Sequence, residues 1–140
     1  MVKESPLSSS VNNIKTEIHR NRRQLLPPLP SFVSFLEDAR GAWYMKAGIS
    51  YEEMRRKKIG TVILKLDIMF LKEARLGDTL IIITHPKKLG TKSFVFEQKI
   101  YNQLEELITE ATVTSVMFDT NLRKSIPVVN EIAQNFSILD

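Results

Sequence analysis

Two apolar rhythms divide this chain, and the place where one gives way to the other limits what it can fold into. From Phe32 the apolar side chains recur at Phe35, Leu36, Ala39 and Trp43, a spacing of three and four that lays one stripe along a helix. Ser31 or Ser34 is expected to cap its start, Ser34 and Glu37 having the spacing of a capping box, and Gly48 suits its end. After Gly60 the spacing drops to two. Val62, Leu64, Leu66, Ile68 and Phe70 then share one face of an expected strand, with Lys65 and Asp67 on the other.

The second rhythm continues through short punctuated segments. Arg75-Leu76-Gly77-Asp78 reads as a turn into a buried strand from Thr79 to Thr84. His85 and Pro86, with Lys87-Lys88-Leu89-Gly90, are expected to turn into a strand that points Phe94, Phe96, Gln98 and Ile100 one way and Glu97 and Lys99 the other. A last strand places Leu107, Thr109, Ala111, Val113, Ser115 and Met117 on one face, and Pro127 with a weakly amphipathic tail closes the chain. Ahead of the helix, Val11 to Asn21 suits a first strand. Between them Arg22 to Pro30 holds half of the six prolines, so neither helix nor central strand is expected to run through it. Tyr51 to Lys58 reads as a short helical or irregular segment with its basic groups in water. Residues 1–10 are expected to be a flexible tail, and 11–140 a single domain.

Strands of about eleven residues run roughly 36 Å, whereas a helix of about seventeen runs roughly 25 Å. Such strands can curl around the helix, so that the apolar face of each covers the other. The expected class is therefore α+β: a hotdog fold, a long antiparallel β-sheet wrapped around a central α-helix.

Composition narrows the chemistry. With no cysteine among 140 residues, disulfides, thiolate zinc sites and cysteine nucleophiles are excluded together. No apolar run approaches the length of a membrane span and Met1 to Ser10 carries no apolar signal core, so a cytoplasmic protein with no membrane partner is expected. A net charge of +4 favours an anionic ligand without naming one. Nucleic acid is not an expected partner, because Phe32, Phe35 and Trp43 lie on the inward stripe and no recognition motif is present. No metal spacing and no cofactor loop occur, so no cofactor is expected.

Ser34-Phe35-Leu36-Glu37-Asp38-Ala39-Arg40 followed by Ala47-Gly48-Ile49 resembles the central helix of the 4-hydroxybenzoyl-CoA thioesterase-like hotdog enzymes. Phe70 to Asp78 resembles their aromatic-Leu-Arg-Pro-Ala-Arg-Leu-Gly-Asp turn, with Glu73 in place of the proline, and Leu89-Gly90-Thr91-Lys92-Ser93-Phe94 their Leu-Gly-x-x-Ser strand opening. The resemblance implies a thioesterase acting on acyl-CoA or acyl-carrier-protein thioesters, as a homodimer or homotetramer with its ligand at a subunit interface. The alternative is a hotdog protein that binds acyl thioesters without turnover. The family's Asp-x-x-Gly-His-type motif before the helix is not matched: its aspartate, glycine and histidine positions hold Arg22, Leu25 and Leu26. Thioesterases of enediyne polyketide pathways resemble this chain at Arg40, and theirs stabilises the oxyanion beside an asparagine that this chain lacks.

The catalytic candidates are accordingly Arg40 as oxyanion donor, and Glu37 and Asp38 as carboxylates that could activate water. Each has a plainer reading: a structural ion pair for Arg40, the capping box for Glu37, a solvated face for Asp38. His19 is a weaker proton shuttle, and His85 is expected to be inert. The resemblance places Lys92, Ser93, Phe70 and Trp43 along the substrate. Arg22-Arg23, Arg55 to Lys58, and Lys87-Lys88 with Lys92 are candidate phosphate or carrier-protein contacts, though such runs are commonly just solvated. Homo-oligomerisation is also expected because the strand from Thr79 to Thr84 and the faces bearing Ile63, Met69, Val116 and Phe118 would leave apolar surface exposed on a lone domain.

Overall fold

The computed structural model describes residues 14–19, 29–74 and 78–136. The tail over 1–10, most of the Arg22 to Pro30 block and the turn residues 75–77 lie outside the described residues. Strand β1 (Ile14–His19) precedes helix α1 (Leu29–Ala47) and the short helix α2 (Tyr51–Arg56). Four long strands follow: β2 (Ile59–Phe70), β3 (Thr79–Leu89), β4 (Ser93–Tyr101) and β5 (Leu107–Asp119). The two-residue β6 (Lys124–Ser125) and the one-turn α3 (Asn130–Ala133) finish the described chain. All pairings are antiparallel, in the order β1-β3-β4-β5-β2, with β6 on β5. This is the expected hotdog arrangement, with α1 against the inner face of the sheet. No helix among the described residues is long and apolar enough to cross a membrane.

The helical stripe packs as the spacing requires. Phe32, Leu36, Ala39 and Trp43 are buried and Phe35 is half-buried. The helix starts at Leu29, earlier than expected, because Pro30 falls in its first turn, where a missing N–H costs nothing. Ser31 and Ser34 therefore sit inside the helix, and the capping box with Glu37 does not form. Gly48 ends it at φ +103, the left-handed conformation that glycine adopts freely, while the Ile49 N–H returns to the Tyr44 carbonyl at 3.0 Å. In α2 the Ser50 side chain accepts from the Glu53 N–H at 3.2 Å and caps the first turn.

Three bulges correct the strand assignments; the one in β5 skips Ile108 between Ile100↔Thr109 and Tyr101↔Leu107, so Leu107 does not share the face of Thr109. In β2, Ile63 pairs with Ser115 but Lys65 with Thr114, so Leu64 is an extra residue with no partner. Alternation inverts there: Ile59, Thr61 and Ile63 face inward before the bulge, and Leu66, Ile68 and Phe70 after it. Val62, opposite Val116, faces outward, and neither it nor Leu64 shares the face of Leu66. In β3 the segment expected to turn stays extended, because Lys87 is squeezed out between Pro86↔Phe96 and Lys88↔Val95. Pro86 lies beyond the pairing with β1, which among the described residues ends at Ile14↔Thr84, so no described residue calls there for an N–H. The strand from Thr79 to Thr84 also leaves little exposed: it lies between β1 and β4 with Leu80, Ile81, Ile82 and Ile83 all buried. The exposed apolar side chains of the long strands are on β2 instead, namely Val62, Ile63, Leu64, Met69 and Phe70.

Candidate active site

The inner face carries two apolar clusters. One gathers Phe32, Leu36, Ala39, Leu80, Ile82 and Ile100; the other gathers Trp43, Tyr44, Phe94, Phe96, Val113 and Phe136. Arg40 lies on α1 between them. It is 4% exposed, and its Nη1 donates to Gln98 Oε1 at 3.0 Å. Gln98 is fully buried on β4, and its Nε2 donates to the Leu36 carbonyl and to Thr84 Oγ1, both at 3.0 Å. Among the described residues no carboxylate stands within ion-pair distance of Arg40. The structural ion pair weighed for Arg40 is thus absent there, and its partner is a neutral amide. A buried cation without a counter-charge is costly, and such groups are concentrated at functional sites.

Tyr51 opens the site toward solvent. Its ring lies so close to α1 that a Cβ on Gly41 would stand 2.7 Å from Cε2, which only glycine avoids. Its hydroxyl donates to the Glu37 carbonyl at 3.4 Å. Burial pushes the Tyr51 phenol above its ordinary 10.0, the Arg40 charge beside it pulls the other way, and Glu37 and Asp38 push it up further. Behind it stands Tyr44, raised by burial and then by Tyr51, with the Thr61 side chain and the Arg40 charge pulling the other way. The Tyr44 hydroxyl makes no hydrogen bond of good geometry.

A cleft of about 400 Å³ opens between α1, α2 and β2, lined by Glu37, Tyr51, Met54, Arg55, Ile59 and Thr61. A second, of about 740 Å³, lies across Tyr51 and is lined by Asp38, Ala42, Met45 and Glu52. Tyr51 and Arg55 border both. Glu37 and Asp38 are both exposed but serve different clefts, since successive helix residues diverge by about 100°. Of the pair, Glu37 lies on the flank of α1 nearer to Arg40.

The expected substrate contacts do not converge. Phe70 is half-exposed and meets Phe32 edge-on at 5.3 Å, near the start of α1. Trp43 is 2% exposed, packed on Phe96 at 4.8 Å in the aromatic cluster, and serves the core. Lys92 is exposed in the β3–β4 turn, where its carbonyl accepts from Met117 N–H at 2.9 Å, near the opposite end of the helix from Phe70; Ser93 follows, half-buried. His19 lies on β1 opposite Thr79, and His85 on β3 rather than in a turn. Of the basic runs, Lys57 meets Glu131 at 3.5 Å and Lys87 meets Glu97 at 3.9 Å at the surface.

Sequence reasoning overlooked Tyr51 and Gln98. Gln98 carried a usable signal, an amide at an inward position among Phe94, Phe96 and Ile100. Tyr51 carried little, because its role depends on a glycine ten residues away.

A helix of this length inside such a sheet is the hotdog arrangement, and the comparisons agree. The profile of the Thioesterase-like superfamily matches residues 30–136, and the chain belongs to that family. It is 32% identical over 89 residues to the acyl-CoA thioester hydrolase YbgC of Escherichia coli strain CFT073, a match covering 64% of this chain and 66% of the relative. The 1,4-dihydroxy-2-naphthoyl-CoA thioesterase from Synechocystis superimposes with a TM-score of 0.79 at 15% identity, over 91% of this chain and 97% of that one. A 4-hydroxybenzoyl-CoA thioesterase solved with 4-hydroxybenzoyl-CoA superimposes with a TM-score of 0.78 at 20% identity, over 91% of this chain and all of that one. The family read from the motifs is therefore the right one.

Proposed function

We propose that the chain hydrolyses acyl-CoA thioesters, with Arg40 stabilising the oxyanion of the tetrahedral intermediate. The observation that carries this is a buried guanidinium held by a neutral amide, its charge left for a ligand among the described residues. An oxyanion donor in a water-poor site is commonly the largest contribution to acyl transfer. Tyr51, bordering both clefts beside Arg40, is placed to face the same group. Glu37 is the better of the two carboxylates for orienting water, because it shares the smaller cleft with Tyr51.

Free-thiol release across a panel of acyl-CoA esters tests the reaction. Arg40→Gln should lower turnover about 100- to 1000-fold with the fold intact and KM little changed. An unchanged rate would leave Arg40 a structural residue.

A second reading has one observation in its favour: Arg22 stands at the family's aspartate position, and arginine cannot act as a base. On that reading the chain binds acyl-CoA and turns it over slowly. Tight binding of a non-hydrolysable analogue beside a rate about 100- to 10,000-fold below that of aspartate-bearing relatives would favour it.

We also infer a homodimer. Among the described residues strand β2 pairs only with β5, and its other edge runs over twelve residues beside exposed Val62, Leu64 and Met69. Long apolar edges of this kind are rarely left uncovered, and antiparallel pairing with a second copy is one way to cover them. Sedimentation of the native chain at micromolar concentration should give twice the mass of one chain. A monomer would overturn the inference.

A further inference from the structure

We propose that Gln98 is a positioning residue, one that aims the Arg40 guanidinium while leaving its charge uncancelled. The proposal rests on the reading of Arg40 as the oxyanion donor. Gln98 is fully buried, and each of its three hydrogen bonds goes to a different group: Arg40 Nη1, the Leu36 carbonyl and Thr84 Oγ1, all at 3.0 Å. Two of these partners, Arg40 and Leu36, are on α1 and the third, Thr84, is on β3, while Gln98 itself sits on β4, so the contact ties the helix to two neighbouring strands at one point.

The network leaves the amide one orientation. Turned over, its NH2 would face the guanidinium, donor against donor, and its oxygen would face the Leu36 carbonyl, acceptor against acceptor. The oxygen therefore points at Arg40, and both amide hydrogens are spent on anchoring it.

The residue type matters as much as the place. A glutamate would hold the guanidinium equally close but would neutralise it in a buried ion pair, and it would lose both anchoring donors. A methionine of similar length would leave the charge but not the aim. Glutamine supplies direction without compensation, which is what a donor to a developing oxyanion requires. Misplacing a group around a reacting centre by an ångström can cost about 100-fold in rate.

The experiment compares the full chain with Gln98→Glu, Gln98→Met and Arg40→Gln. It reads kcat and KM by thiol release from acyl-CoA esters, and melting temperature alongside. The proposal expects both Gln98 variants to lose about 10- to 100-fold in kcat with KM within a few-fold. It expects Gln98→Glu, even with a lowered melting temperature, to lose kcat at assay temperatures where it remains folded while KM stays near native, a split that a merely structural role would not produce. Native kcat in a folded Gln98→Glu would overturn the positioning role and leave the Arg40 reading standing. Native kcat in Arg40→Gln would overturn the Arg40 reading, and this proposal with it. Should either Gln98 variant fail to fold, the other decides by the same kcat-against-KM split.

Discussion

Around Trp43 the interior is built on aromatic rings set among aliphatic side chains: Trp43, Tyr44, Phe94, Phe96 and Phe136 meet largely edge to face, with ring centroids 4.8 to 6.3 Å apart. One turn earlier on the same helix, at equal burial, Arg40, Gln98 and Thr84 form a hydrogen-bonded layer. The first region is held by area and shape, which are forgiving of chemistry and intolerant of lost volume. The second is held by matched donors and acceptors, where volume matters less and an unmatched atom matters most. A core can thus keep a polar site at its centre if every member of that site is answered.

The comparison is broken most severely from the aromatic side. Phe96→Ala should cost about 3–5 kcal/mol of stability, read by denaturant titration, because the cavity lies beneath Trp43 and cannot collapse. In the polar layer, Arg40→Met should cost about 1–3 kcal/mol by leaving the Gln98 oxygen buried without a donor. Adding Gln98→Leu should cost less than the same change in the native chain, since it removes the stranded amide oxygen while taking a donor from Thr84; a fully additive loss would show that the Arg40–Gln98 bond is not what holds this layer. Thr84→Val, which removes one acceptor and keeps the shape, should cost about 1 kcal/mol. The smallest effect belongs to Tyr44→Phe, expected within about 0.5 kcal/mol at neutral pH because its hydroxyl makes no good bond to lose.

That last variant has a pH signature. Burial raises Tyr44 and Tyr51 above their ordinary 10.0, so the folded chain keeps protons that the unfolded chain gives up. Stability is retained below pH 10 and is lost as pH climbs from there through the raised values. Melting curves between pH 9 and 11 should fall less steeply for Tyr44→Phe than for the native chain. Parallel curves would show that the buried phenol does not govern the alkaline limit.

The order of elements was legible because period is local: the stripe from Phe32 to Trp43 and the alternation from Phe94 to Ile100 each state which face is inward. Bulges were not legible. Leu64 and Lys87 each belong to a run that alternates acceptably without them, and only the partner strand shows which residue is surplus. The site was half legible. Arg40 stood out by resemblance, whereas Gln98 and Tyr51 acquire meaning only from what the fold brings against them. Trp43, a large aromatic expected along the substrate, is 2% exposed and packs on Phe96 in the core. The position of Arg22 lies outside the described residues.

The bulge in β2 also bears on how the chain could lose a residue. Ile63 and Lys65 already pair with adjacent residues of β5, Ser115 and Thr114, so excising Leu64 would leave every other pair where it stands. Excising a neighbour on either side would carry the segment between it and the bulge to the wrong face, or force the bulge to migrate. Shortening by one residue should therefore be tolerated at Leu64 and resisted at Ile68, a scar that a lineage could acquire at one place in this strand and hardly at any other.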